Sequence, residues 1–275
     1  MSNRSESHCV TCNSVLSGAY CHACGERARR DPPTLARFAA EMLAELLDAD
    51  GRIVKTLKLL VFRPGRLTVE YVSGRRKPYL GPAAVFVLMN VLFFFVQPLA
   101  NINTFHATLH SQTHWYPYSD WAEDMVATRL EVTGLDRDAY AGEFDVASER
   151  NARILIFLQI PLLAIGIMLI NFRKRRYFVE HLVFATHFFA ALLLLSVVAS
   201  FGIYIYWILK PGFTFDLEIP FMVITTGYLL LASREVYGDN WIIASLKAVL
   251  QIGAFLMVIH FFRLVLFLVT YWTVV

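Results

Sequence analysis

Beyond Cys24 the chain contains no cysteine. All four lie within the first 24 residues, as Cys9-x-x-Cys12 and Cys21-x-x-Cys24. A disulfide framework is thereby excluded, and a reducing compartment for the amino-terminal thiols is implied. Charge is also scarce: 17% of the 275 residues are charged against 57% hydrophobic, a balance that excludes an ordinary soluble domain. No cleavable signal pattern is present, because the first residues are polar and the first apolar core begins only near Leu80. That first span is expected to act as its own insertion signal. Missing too are the Ser/His/Asp, His-Glu-x-x-His and phosphate-loop signatures of common enzymes, and any internal repeat of the transporter kind.

What the sequence does contain is long apolar runs with asymmetric flanks. The longest, Leu182 to Leu209, follows a basic collar of Arg173, Lys174, Arg175 and Arg176. A run of this length is stable in lipid, and clustered cations favour the cytoplasmic side of it. From Met1 to Tyr79 there are thirteen Lys and Arg against eight Asp and Glu, while Ala100 to Arg150 has three against nine. The expected fold is therefore an α-helical polytopic membrane protein of about five transmembrane helices, with the amino terminus cytoplasmic and the carboxyl terminus outside. The spans are expected near residues 80–99, 154–172, 182–209, 219–232 and 248–271, with an outer segment at 100–150. Pro161 is expected to kink the second span. Pro220 and Gly227 make the fourth short, interrupted and open to a re-entrant reading.

Residues 1–28 read as a small zinc ribbon. Two Cys-x-x-Cys pairs separated by eight residues can bring Cys9, Cys12, Cys21 and Cys24 onto one tetrahedral Zn²⁺. Four thiolates leave no coordination position for substrate or water, so the ion is expected to be structural. His8 and His22 adjoin the ligands without joining them. A redox dithiol is the competing reading, but such motifs usually occur singly.

Residues 29–79 read as cytoplasmic amphipathic helices. Leu35, Phe38, Met42, Leu46 and Ala49 recur at helical spacing, and Ile53 to Phe62 carries Arg52, Lys55 and Lys58 before Arg63-Pro64-Gly65 ends it. A basic amphipathic stretch before a span fits an interfacial helix held by the anionic headgroups of a lipid bilayer. Nucleic acid is the less favoured partner, because aromatic residues for base stacking are sparse here.

Several residues together carry a family likeness. The paired knuckles are followed by Asp50-Gly51-Arg52, Thr56-Leu57, Leu60, Arg63-Pro64-Gly65, Glu70-Tyr71, Gly74-Arg75-Arg76, Tyr79 and Pro82, and later by Glu180-His181-Leu182 and His187. This combination resembles an uncharacterised family of bacterial inner-membrane proteins, a domain of unknown function with a zinc-ribbon head. The resemblance spans roughly residues 9–95 and 172–200 and implies a bacterial cytoplasmic membrane. It implies no activity.

Ionisable and amide groups inside apolar spans are costly and therefore mark candidate sites. Asn90, Glu180, His181, His187, His260 and Arg263 form this set. Glu180 and His187, seven residues apart, share a helix face, with His181 facing elsewhere. Arg263 is expected to reach water or to pair with Asp216 or Glu218. In the outer segment, His106, His110 and His114 recur every fourth residue, which on a helix aligns three imidazoles able to bind Zn²⁺ or Cu²⁺. Polar residues at a membrane surface beside Trp115 and Tyr116 are the simpler reading.

The reading that absorbs most of these features is an integral membrane binding or scaffold protein whose zinc-held head contacts a cytoplasmic protein partner. A small-solute or ion transporter using the intramembrane polar groups is the alternative. An intramembrane enzyme comes third, and no catalytic residue is assigned. Convergence of Asn90, Glu180, His187 and Arg263 on one cavity would favour transport, and dispersal would favour the scaffold.

Overall fold

Helix boundaries follow the breakers in the sequence. The computed structural model describes residues 8–26, 51–100, 107–174, 176–209 and 218–274, so the helix read over Leu35 to Ala49 lies outside the described residues. Helix α1, Arg52–Phe62, begins after Gly51 and ends at Arg63, where Pro64 cannot continue the ladder. Helix α2, Arg66–Val72, starts from Gly65, whose φ of 83° suits a residue without a Cβ. Helix α3 runs Pro82–Ala100 and opens on a proline, which is favoured at a first helical position. The described residues of the segment expected outside contain two helices, α4, Leu109–His114, and α5, Ser119–Thr133. Three long helices and one of intermediate length complete the chain: α6, Arg137–Ile170; α7, Phe178–Leu209; α8, Glu218–Tyr237; and α9, Trp241–Thr273.

Among the described residues, four helices are long and apolar enough to cross a membrane: Arg137–Ile170, Phe178–Tyr206, Ile219–Tyr237 and Trp241–Thr273. The apolar part of α3, Pro82–Gln97, is shorter, so length and composition support four of the five expected spans. Two boundaries differ from the sequence reading. The second span and part of the outer segment form one continuous 34-residue helix, α6, because Asp136 caps its start by accepting from the backbone N–H of Asp138 and Ala139. The fourth span is an uninterrupted helix of 20 residues. Pro220 falls in its first turn, where the missing N–H has no intrahelical partner to lose.

Helix α7 is central. Half of its apolar window is buried inside the bundle, against about a third for α6 and α9. It packs on α3 and α6, α6 packs on α9, and α9 on α8. The main core joins Phe86, Met89 and Phe93 of α3 to Phe184, Phe188 and Phe189 of α7. At the far end, Leu109 and Val126 of α4 and α5 close a second core with Tyr140 and Phe144 of α6 and Phe267 of α9. Helices α4 and α5 are thus folded onto the ends of α6 and α9.

The α1–α2 pair wedges against the opposite, head-side end of the bundle. A Cβ on Gly65 would lie 2.5 Å from the carbonyl oxygen of Ala232 on α8. Gly65→Ala is therefore expected to lower stability by about 1–3 kcal/mol through left-handed strain and this clash. Thermal unfolding in detergent measures it, and an unchanged Tm would mean that α2 can be reseated without loss.

Candidate functional site: a four-cysteine head docked on the bundle

Residues 8–26 are built from two copies of one turn. In each, the backbone N–H of the residue after the second cysteine donates to the carbonyl of the first: Asn13 to Cys9 at 2.9 Å, and Gly25 to Cys21 at 2.8 Å. Both hinge residues are left-handed, with φ of 60° and 71°. The N–H of each first cysteine is bonded as well, Cys9 to the Ser14 carbonyl and Cys21 to that of Glu26. An antiparallel bridge pairs His8 with Val15. Asparagine and glycine tolerate this backbone region best, which explains their placement.

The turns bring Cys9, Cys12, Cys21 and Cys24 together, with all four sulfurs within 4.8 Å of one another. The cross-knuckle separations are 3.6 Å for Cys9 to Cys24 and 3.4 Å for Cys12 to Cys21. A tetrahedral ion with metal–sulfur bonds of about 2.3 Å has sulfur–sulfur edges of about 3.8 Å, so the donor set fits a four-coordinate metal. Cys9 and Cys21 are buried, while Cys12 is exposed. Hydrogen bonds from Ser14 favour the Cys12 thiolate and lower its pKa to about 6. At Cys24 the backbone bond at Glu26 also favours the thiolate, but burial and the three neighbouring cysteines outweigh it and push the thiol up to about 12. A cation among the sulfurs relieves that crowding, and loading it displaces protons.

The head is seated on the loop between α2 and α3. The Arg75 Nε donates to the carbonyl of Val10 at 3.0 Å. The buried Glu26 carboxylate accepts from Thr11 Oγ1 at 2.9 Å and from the backbone N–H of Lys77 at 3.3 Å. Behind this loop, Glu70 is buried and forms ion pairs with Arg75 at 3.1 Å and Arg66 at 2.7 Å. Arg66 continues to Glu235 of α8 at 3.3 Å. A chain of polar contacts thus connects the head to α8.

Most of the candidate groups in the apolar helices lie toward one or other end of the bundle, and Asn90 lies mid-helix in α3. On the head side, His187 is buried with its Nδ1 2.9 Å from Thr68 Oγ1 of α2, and its Nε2 lacks a partner. His181 is buried with Nδ1 2.8 Å from the Tyr237 hydroxyl of α8. Glu180 pairs with Arg176 at 2.7 Å. At the far end, the backbone carbonyl of Arg263 accepts from Gln112 of α4 at 3.4 Å, and Tyr116 and Tyr118 are among the neighbours of its guanidinium. Asp216 and the side chain of Glu218, its expected partners, lie outside the described residues. His260 is exposed, with Nδ1 2.8 Å from the Leu256 carbonyl. Asn90 is buried, and its Nδ2 has no partner. Of the outer histidines, His110 and His114 stack on α4 with ring centroids 4.2 Å apart, and His106 lies outside the described residues.

Several buried contacts carry no signal in the linear pattern. Thr68 and Tyr237 were not singled out, although they hold His187 and His181. Gln159, fully buried with both amide atoms unpartnered, was also missed. The basic collar has a second role as a latch: Lys174 and Lys247 both pair with Asp239 in the α8–α9 turn, at 2.8 and 2.6 Å. Burial opposes ionisation of Asp239, but its bonds to these two lysines prevail and hold its pKa below the ordinary carboxylate value. The stability it supplies is present at neutral pH and fades as acid protonates it.

Residues 50–94 match the family model described as Protein of unknown function (DUF3667). That segment contains α1, α2, the loop under the head and most of α3, which are the elements carrying Thr68, Glu70 and Arg75. No curated protein and no solved structure matches the chain.

Proposed function

We propose that this chain is an integral membrane binding or scaffold protein of a bacterial inner membrane, whose Zn²⁺-held head contacts a cytoplasmic protein partner. The observation that carries this reading is the arrangement of the head. The head is fixed to the bundle through Arg75, Glu26 and Lys77, and its Val15 and Tyr20 are exposed, the latter at 60%. A metal bound by four thiolates has no open position for catalysis, and its contribution is to hold that surface in shape. Apolar and aromatic side chains on a small rigid module are suited to protein recognition. That His187 and Arg263 lie toward opposite ends of the bundle supports this reading over transport through one polar cavity.

A photo-crosslinking amino acid placed at Tyr20 in growing cells tests the reading, with the same probe at Val10 on the docked side as control. The expected result is a discrete protein adduct from position 20, lost when zinc is chelated, and none from position 10. Adducts to lipid or to the chain itself alone would overturn it. A reporter fused after Val275 checks the orientation, with an outer-side signal expected.

A further inference from the structure

Helix α1 has two unlike sides. Thr56 and Leu60 are buried against the bundle, while Val54, Lys55, Lys58, Val61 and Phe62 are exposed. At helical spacing those five project within one arc of about 120°, on which apolar side chains and lysines are interleaved. Val54 and Phe62 are 72% and 75% exposed. Apolar bodies beside long cationic stems suit a bilayer surface, where the former enter the acyl layer and the latter reach up to phosphate.

What surrounds this arc follows from how deep α1 and α2 sit along the spans. The Tyr228 hydroxyl of α8 donates to the Leu60 carbonyl at 3.1 Å, and Thr68 Oγ1 of α2 lies 2.9 Å from His187 Nδ1 of α7. Tyr228 is nine residues short of the α8 end at Tyr237, and His187 is nine past the α7 start at Phe178, about 14 Å along each helix. Helix α8 has no length to spare, since its 20 residues rise about 30 Å, the whole of a hydrocarbon core. Counted only from Arg234, the nearest charged residue of α8 on that side, Tyr228 is still six residues, about 9 Å, inside. The turn from α1 to α2 therefore lies beside the spans and not beneath their ends, at the depth of about 5–10 Å that suits an interfacial helix. Helix α1 also meets the start of α3, where the buried Thr56 hydroxyl accepts from the backbone N–H of Leu80 at 2.9 Å. The apolar part of α3, Pro82–Gln97, rises only about 24 Å.

We propose that α1 and its turn into α2 are sunk in the head-side leaflet of the bilayer, where they make up the length that α3 lacks, with Val61 and Phe62 among acyl chains and Lys55 and Lys58 at anionic phosphates. This rests on the bundle crossing a membrane and is independent of the partner of the head.

Power-saturation electron paramagnetic resonance of the full-length protein in vesicles of phosphatidylglycerol and phosphatidylcholine tests it, with a spin-labelled amino acid incorporated at Phe62. The same label at Val15 of the head is the water control, and at Met257 of α9, 73% exposed within a span, the lipid control. Access of a polar nickel complex at position 62 should be about tenfold or more below that at position 15, with oxygen access matching position 257, because hydrocarbon excludes polar solutes. Nickel access at position 62 equal to that at 15, with 257 protected, overturns the proposal alone. Nickel access at 257 as well refutes the crossing on which it rests. Shielding of position 62 from both reagents would assign the face to a second copy and overturn it equally. In the double variant Lys55→Glu, Lys58→Glu, nickel access at position 62 should rise about threefold or more in these anionic vesicles, and no rise would overturn the phosphate contact of the lysines.

Discussion

Cys21→Ser is expected to release the metal and unfold residues 8–26 while leaving the helical bundle intact. The head is too short to order itself by apolar burial. Its ordered groups are the four sulfurs, the two bonded turns and the seat on Arg75 and Lys77. Metal binding therefore supplies most of its folding free energy, as in other small thiolate-bound modules. Cys21 is buried at 3% exposure, so a hydroxyl there replaces a ligand that water cannot replace. An affinity loss of more than about 100-fold is expected, since changes even to groups behind metal ligands cost roughly 10–100-fold. Zinc analysis of the purified variant, with limited proteolysis of the head, provides the readout. Full retention of the ion would refute the four-thiolate assignment.

The same chemistry sets a pH dependence. Protons compete with the ion for the thiolates, and the Cys24 thiol, pushed up to about 12, binds its proton tightly when no cation is present. Metal affinity should accordingly fall as pH is lowered, and more steeply below about 6, where Cys12 also takes up a proton when the metal is absent. The bundle, whose helices are stabilised by lipid and by their own packing, should retain its helical content through that range.

Legibility in the sequence tracked how local each interaction is. The knuckles are readable because four ligands and two hinge residues fall within seventeen positions, and the apolar runs are readable because bilayer thickness sets their length. The continuity of α6 and α8 was not, because a proline inside an apolar run reads the same whether packing carries the helix through it or a first turn absorbs it. The contacts of His187 and His181 were hidden for another reason. Their partners, Thr68 and Tyr237, are 119 and 56 residues away, and neither threonine nor tyrosine interrupts an apolar pattern. Glu70 was the recoverable miss. It stands four residues after Arg66, a helical spacing that on its own suggests an ion pair, whereas Arg75 lies beyond the end of α2.

That carboxylate leads to the second large effect. Glu70 has a side chain only 5% exposed and lies between Arg66 and Arg75, whose side chains are 40% and 42% exposed. Arg75 holds the head through the Val10 carbonyl, and Arg66 reaches Glu235 of α8. Removing one partner of a buried ion pair costs about 3–5 kcal/mol. Because both arginines can turn to water, about 1–3 kcal/mol is the expected loss for Glu70→Ala. Its sign on the head differs from that of Cys21→Ser. The four sulfurs should still bind metal, since none of their bonds involves Glu70, but without Glu70 to orient Arg75 the folded head should leave its seat. Two measurements separate the cases: zinc stoichiometry should stay at one while a crosslink engineered between the head and the α2–α3 loop is lost. If the crosslink persists at wild-type yield in Glu70→Ala, the seat depends on Glu26 and Lys77 alone, and the charge chain from the head to α8 carries no coupling.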